Sequence, residues 1–345
     1  MQKTNEDSPI VGILLGDASG CGPEVIAKLA AAGTLTETCR PILIGDARVF
    51  AKAQTYAGVT VPTAIIAAPA EARWEDGSLP VLDLKNLDPA TFALGEVSAD
   101  CGRAVGETLT TAIKLALANQ IDGILYAPIH KQALYLGGFT FESEEALFAS
   151  LMETEHHGEI NILGNLWTTR VTSHIPLKDV SDALTQDRIE QTIAFGHDVL
   201  TQAGFDAPRL GVAALNPHAG ENGKCGREEI DVIAPAVEAA AARGIDVRGP
   251  LPADTAFTRA FSGEFDMVVT LYHDQGQIAL KTKNFSEGVT VAGGFPVPIC
   301  TPAHGTAFDK AGTGTVNTRA TENALGVCCR MSAVRRNKTK GHQGQ

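Results

Sequence analysis

Three histidines each stand just beyond a short apolar run: His174 in TSHIPLKD, His218 in NPHAGENG and His273 in YHDQGQ. A neutral imidazole is a good ligand for a divalent transition metal, and three of them leave positions open for substrate and water. The spacings match no local metal motif, so the case for one shared ion is topological. Taken singly, each histidine would more often be structural. Glu155-His156-His157-Gly158-Glu159 is denser in ligand types, but adjacent residues point in different directions, and it reads as a solvated loop. Asp254, in GPLPADT, is either a helix cap or a carboxylate near the ion. Lys281 follows His273 by eight residues, and Lys131 lies in APIHK. Lysines in such loops can hold a substrate anion or move a proton.

Gly16-Asp17-Ala18-Ser19-Gly20-Cys21-Gly22-Pro23-Glu24 forms a glycine-rich strand-to-helix turn that is neither GxGxxG nor a Walker loop. Glycine permits tight backbone approach to a ligand, and a plain turn accounts for it equally well. HGTAFDKAGTG, at His304–Gly314, is a second loop of the same kind.

The elements that must position these residues alternate along the chain. Apolar runs predict strands over 10–15, 41–44, 61–67, 121–127, 160–163, 168–172, 209–215 and 266–271. Helical periodicity covers 23–32, 47–56, 99–119, 144–153, 188–203 and 228–242, while 68–98, with its prolines and glycine, reads as irregular. Interleaving of this kind predicts a mostly parallel, layered α/β fold, and ligands of such folds collect at the carboxyl ends of strands. A length of 345 residues fits two domains or one large α/β unit.

Composition excludes other classes. The chain is 44% hydrophobic and 20% charged, which rules out a disordered protein. A net charge of −12 argues against nucleic-acid or anionic-membrane partners. Seven dispersed cysteines without a CxxC read as reduced thiols. The opening MQKTNEDSPI has no apolar stretch of signal-peptide length, so a cytoplasmic location is expected. Arg330, Arg335, Arg336, Lys338 and Lys340 predict a frayed basic tail, counted here as 331–345.

Seven segments in register resemble the 4-hydroxythreonine-4-phosphate dehydrogenase family, over about residues 10–327: GDASGCGPE, APIHK, TSHIPLKD, LNPHAGENG, GPLPADT, YHDQGQ and HGTAFDKAG. The resemblance implies an α/β, two-domain isocitrate/isopropylmalate dehydrogenase-like fold with a cleft between domains. One domain would be 1–135 plus 285–330 on the cofactor side, and the other 136–284, carrying the histidines and a homodimer interface with a shared active site. His174, His218 and His273 match the family's metal-binding histidines, for one divalent ion (Zn, or Mg, Mn or Co). Lys281 matches a substrate-binding lysine and Asp254 an aspartate beside the metal; these two are the candidates for proton transfer. NAD or NADP is implied as cofactor, and its binding is assigned to His304, Gly305 and Thr306.

Departures bear on substrate. Where the family commonly has Gly-His-Thr-Glu, this chain has Glu142-Ser143-Glu144-Glu145, so Ser143 and Glu144 enter the substrate-binding set with Lys131, Lys281, Thr290 and Ile299. Thr290 and Ile299 replace an Asn and an Arg, removing a bidentate phosphate donor; they resemble the sugar-acid branch, which oxidises 4-phospho-D-threonate or 4-phospho-D-erythronate. The implied reaction is metal-dependent, NAD(P)-linked oxidation of a small β-hydroxy acid with decarboxylation. The alternatives are a non-phosphorylated cis-diol dicarboxylate dehydrogenase of the terephthalate dihydrodiol type and a degenerate binding protein without turnover.

Overall fold

The computed structural model describes residues 7–141 and 143–343. Glu142 and the first six residues of the N-terminal segment lie outside them. The chain divides into two compact units, one built from Met1–His157 with Val289–Gln345 and the other from Gly158–Gly288.

In the larger unit the strands are β1 (Ile10–Leu14), β2 (Arg40–Gly45), β3 (Thr63–Ile66), β4 (Leu79–Asp83), β5 (Gly123–Tyr126), β11 (Val289–Gly293) and β12 (Ile299–Pro302). They lie in the order β3-β4-β2-β1-β5-β12-β11. All pairings are parallel except β11 with β12. Val11, Ile13, Ile42, Leu43, Ile44, Ile124 and Leu125 are fully buried, as befits parallel strands covered on both faces. β4 corrects the expectation of an irregular 68–98: LPVLD pairs with both β2 and β3 despite Pro80.

Helix Ala99–Leu117 starts at Ser98, whose hydroxyl accepts from the Cys101 amide. It has no room for side chains at two positions. A Cβ on Gly102 would lie 1.7 Å from the Ala133 carbonyl oxygen, and one on Gly106 would meet the Phe139 ring at 2.1 Å. These glycines let helix Lys131–Leu136 pack directly on the longer one, which fixes where Lys131 leaves the backbone.

The basic C-terminus is no frayed tail. Helix Arg319–Gln343 runs through it. Arg335 donates to the carbonyls of Pro296, Ile121, Asp122 and Ala116 and to the Asn119 side chain, and Arg336 pairs with Asp122 at 3.2 Å. The sequence shows no acidic partner nearby because the partners include backbone carbonyls, the Asn119 side chain and two distant aspartates, Asp122 and Asp7.

The smaller unit holds β6 (Gly158–Leu163), β7 (Leu166–Arg170), β8 (Arg209–Ala213), β9 (Asp246–Leu251) and β10 (Met267–Thr270). Their order is β6-β7-β10-β8-β9. β6 and β7 form an antiparallel hairpin; β7-β10-β8-β9 are parallel. Leu251, Phe257, Phe265 and Val268 form part of its core. The helix expected over 228–242 is α only over Ala234–Ala242, and its first turn, Glu229–Ile233, is wound as a π-helix. No helix among the described residues is long and apolar enough to cross a membrane.

Candidate active site

The strands β7, β10 and β8 are parallel neighbours, and each leads at its carboxyl end into a histidine: His174, His273 and His218 in that spatial order. The rings of His174 and His273 have centroids 5.5 Å apart. The residues behind them are tied down. Thr172 Oγ1 donates to the Leu271 carbonyl at 2.7 Å and Thr270 Oγ1 to the Thr169 carbonyl at 3.0 Å, stitching β7 to β10. Arg170, its side chain only 9% exposed, pairs with Glu159 at 2.7 Å and donates to Asn161 and to Ser173, next to His174. Gln275 accepts from the Leu271 amide and donates to the Ala214 carbonyl, joining the His273 turn to the end of β8.

His218 sits in a different local structure. His218, Ala219, Gly220, Glu221 and Asn222 all have positive φ, between 44° and 79°, a left-handed turn of mostly non-glycine residues. Each costs roughly 1–2 kcal/mol for an L-residue, so the turn persists only where its surroundings over-determine it. Buried Glu229 ties down the segment that leads into it. Its Oε1 accepts from the amides of Leu215 and Asn216, and its Oε2 accepts from Asn216 Nδ2. A Cβ on Gly220 would come within 2.7 Å of Glu229 Oε2, so the turn rests on that carboxylate.

His218 Nδ1 donates to Glu221 Oε1 at 2.9 Å, and His273 Nδ1 to Asp274 Oδ1 at 2.7 Å. The hydrogen bond and then the charge of Glu221, with a smaller contribution from Asp254, raise the His218 pKa above its ordinary value. Asp254 lies exposed in the first turn of helix Ala253–Phe261, and Lys281 is exposed near the end of helix His273–Asn284.

The donor set has the chemistry a divalent ion needs: three accessible imidazoles on adjacent strand ends, two with Nδ1 occupied and Nε2 available. Two of the rings are near neighbours. Among the described residues, however, no three His, Cys, Asp or Glu side chains of one chain stand close enough to enclose a metal ion.

In the larger unit, the strand ends bring other residues together. Asp17 is fully buried after β1; its Oδ1 accepts from the Ser19 amide and hydroxyl, while Oδ2 has no hydrogen-bond partner. Burial pushes its carboxyl up, against the opposing effect of the Ser19 bonds and the His130 charge. Burial likewise pushes the Cys21 and Cys101 thiols up to about 11, so neither is a ready nucleophile. The glycine-rich turn seats the second loop: the Cys21 amide donates to the Thr306 carbonyl, Glu24 accepts from the Gly312 amide, and Lys28 donates to the Gly314 carbonyl. Thr306 is thereby buried, Gly305 is exposed, and His304 Nδ1 donates to the Gly305 carbonyl at 2.9 Å. His130 stacks on Phe308 of the same loop at 5.1 Å.

Lys131 reaches Glu144 at 3.4 Å. Burial, and then the charge of Glu145, raise the Glu144 carboxyl above its ordinary value, while Lys131 opposes them. Ser143 caps helix Glu144–Met152 by accepting from the Ala146 amide. Thr290 pairs across from Thr301 on β12 and is half-buried. Ile299 is fully buried in the hydrophobic core with Leu14, Ile124 and Tyr126. His156 and His157 stay exposed on a loop, His157 stacking on Phe295.

Glu221, which pairs with His218, and Glu229, Arg170 and Gln275, which tie down the strand ends, make contacts that spacing did not reveal. Glu221 had a signal, three residues after a histidine in a glycine-bounded loop. Gln275 lies two residues after His273 within YHDQGQ, whereas Arg170 and Glu229 act across the sheet or from a later helix, and nothing local marks them.

Comparison with known proteins agrees with the motifs. The D-threonate 4-phosphate dehydrogenase of Cupriavidus necator is 42% identical over 318 residues, covering 92% of this chain and 95% of that protein. The crystal structure of 4-hydroxythreonine-4-phosphate dehydrogenase from Klebsiella pneumoniae superposes with a TM-score of 0.85 at 35% identity, covering 94% of this chain and 98% of that one. That of a terephthalate 1,2-cis-dihydrodiol dehydrogenase from Burkholderia xenovorans LB400 does so with 0.66 at 26% identity, covering 93% and 98%. The family described as pyridoxal phosphate biosynthetic protein PdxA matches residues 37–328, and the chain belongs to it.

Proposed function

We propose that the protein is a dehydrogenase that oxidises the hydroxyl of a small 4-phosphorylated hydroxy acid, D-threonate 4-phosphate or a close analogue, with NAD(P) as acceptor and a divalent ion at the histidines. The observation that carries this reading is the placement of His174, His273 and His218 beyond the carboxyl ends of three adjacent parallel strands, in a chain 42% identical to a D-threonate 4-phosphate dehydrogenase.

His174, His218 and His273 would hold the ion through Nε2, and the one-chain geometry leaves that set to be completed in a homodimer. Exposed Ile175 and Leu177 beside His174, with Ile230 and Ile278, offer apolar surface for such an interface. When bound, the ion supplies Lewis acidity to the reacting oxygen, and NAD(P) supplies the hydride acceptor. Lys281 pairs with the substrate anion. Asp254 and Lys281 move protons, taking one from the hydroxyl and, after carbon dioxide leaves, returning one to carbon. In the larger unit His304, Gly305 and Thr306 present backbone and a ring to the cofactor. Lys131, Ser143, Glu144 and Thr290 are assigned to substrate, while Ile299 shapes its strand from the core.

A second reading, a non-phosphorylated diol dicarboxylate as substrate, is favoured by one contact: Glu144 already occupies Lys131, which weakens that lysine as a phosphate site. Cofactor reduction measured with D-threonate 4-phosphate beside D-threonate and a cis-diol dicarboxylate of the terephthalate dihydrodiol type separates the two. The leading proposal expects turnover only of the phosphorylated acid; equal or better turnover of the free acid overturns it.

A further inference from the structure

The left-handed turn at His218–Asn222 lies between the end of β8 and the π-helical turn at Glu229–Ile233, and its non-glycine residues hold strained backbone. One of its products is the pairing of His218 with Glu221. In a left-handed turn, as in a right-handed one, residues three apart share a side, and here Glu221 Oε1 meets His218 Nδ1 at 2.9 Å. Because a carboxylate can only accept, the ring proton lies on Nδ1. Nε2 is then the free lone pair of a side chain that is 68% exposed. From below, Glu229 holds the turn through Leu215 and Asn216, so the pairing is carried on a fixed base.

We propose that Glu221 is a positioning residue: it fixes His218 as the Nδ1–H tautomer and orients Nε2 outward for a divalent cation. Asp274 does the same for His273, whose Nδ1 it engages at 2.7 Å. Ligating histidines commonly donate their second ring N–H to a carboxylate, which sets the tautomer and raises ligand basicity. The inference rests on reading His218 as a ligand, and Glu221 acts through it without touching substrate.

The test uses the full-length protein, stripped of metal, with Glu221→Ala and Glu221→Gln variants. Ring nitrogen resonances of His218 report the tautomer with no metal present, and titration with Co(II) reports affinity. In Glu221→Ala, His218 is expected to shift toward the Nε2–H tautomer and Co(II) affinity to fall about 10–100-fold. Glutamine keeps a side-chain oxygen for the Nδ1–H, so Glu221→Gln retains the tautomer and most of the affinity. Loss of affinity in both variants with the tautomer kept would mean that Glu221 is itself a ligand, and wild-type tautomer and affinity in Glu221→Ala would mean that it positions nothing; either overturns the proposal. His218→Ala separates this from the underlying reading: unchanged Co(II) binding there removes His218 as a ligand, while the tautomer measurement still decides the role of Glu221.

Discussion

The imidazoles of His174 and His273, almost a hundred residues apart in sequence, lie with ring centroids 5.5 Å apart. They meet because β7 and β10 pair in parallel with Arg170 opposite Thr270, so both chains leave the sheet at the same level. His174→Ala and His273→Ala should each lower divalent-ion affinity by more than about 100-fold, beyond the loss typical of an outer-shell change. Both side chains are exposed or half-exposed, so circular dichroism and melting temperature should stay near wild type. Metal titration of the purified variants checks this.

The mostly buried Glu144 carboxylate pairs with Lys131, whose own side chain is 65% exposed. Glu144→Gln removes the competing charge, and KM for a phosphorylated acid should fall severalfold, with less effect on its unphosphorylated counterpart. Lys131→Met should raise KM for the phosphorylated acid. Steady-state kinetics on the paired substrates distinguish these outcomes from a purely structural role for the pair, which would move both substrates alike.

Asp17 gives a pH signature. Its carboxyl is raised above 3.8 by burial, so the folded state binds this proton more tightly than the unfolded chain does. Stability linked to Asp17 is therefore fully present below about pH 3.8 and is lost as pH rises through the folded value. Asp17→Asn removes that dependence while leaving Oδ1 to accept from Ser19. The variant should gain stability relative to wild type as pH rises from about 4 toward 7, read from melting temperatures across that range.

Arg335 closes the end of helix Ala99–Leu117 through five acceptors. Arg335→Ala strands several carbonyls at once and should cost about 2–3 kcal/mol, measured as a lower urea midpoint. A chain truncated after Val334 should lose at least as much.

Strands made of continuous apolar runs, such as ILYA around β5 and VVTL around β10, were legible because parallel strands are buried on both faces and read as unbroken hydrophobic stretches. The placement of His174, His218 and His273 at strand ends followed directly. β4 was hidden by its proline, and the C-terminal helix by a charge pattern whose partners are backbone carbonyls. Within the site, Glu229 and Arg170 were invisible for a similar reason: their contacts depend on which strands and loops become neighbours, and no sequence period encodes that. The left-handed turn was equally hidden, since Ala and Glu ordinarily avoid positive φ and even His and Asn adopt it only in a minority of cases.

The account depends on an ion held by the three histidines and required for hydride transfer to the cofactor. The most direct measurement follows NAD(P) reduction by D-threonate 4-phosphate in protein stripped with a chelator and then resupplied with a divalent ion. No reduction is expected after stripping and full recovery on resupply, with His218→Ala inactive throughout. Reduction that continues undiminished in the stripped protein, or in His218→Ala, would contradict it.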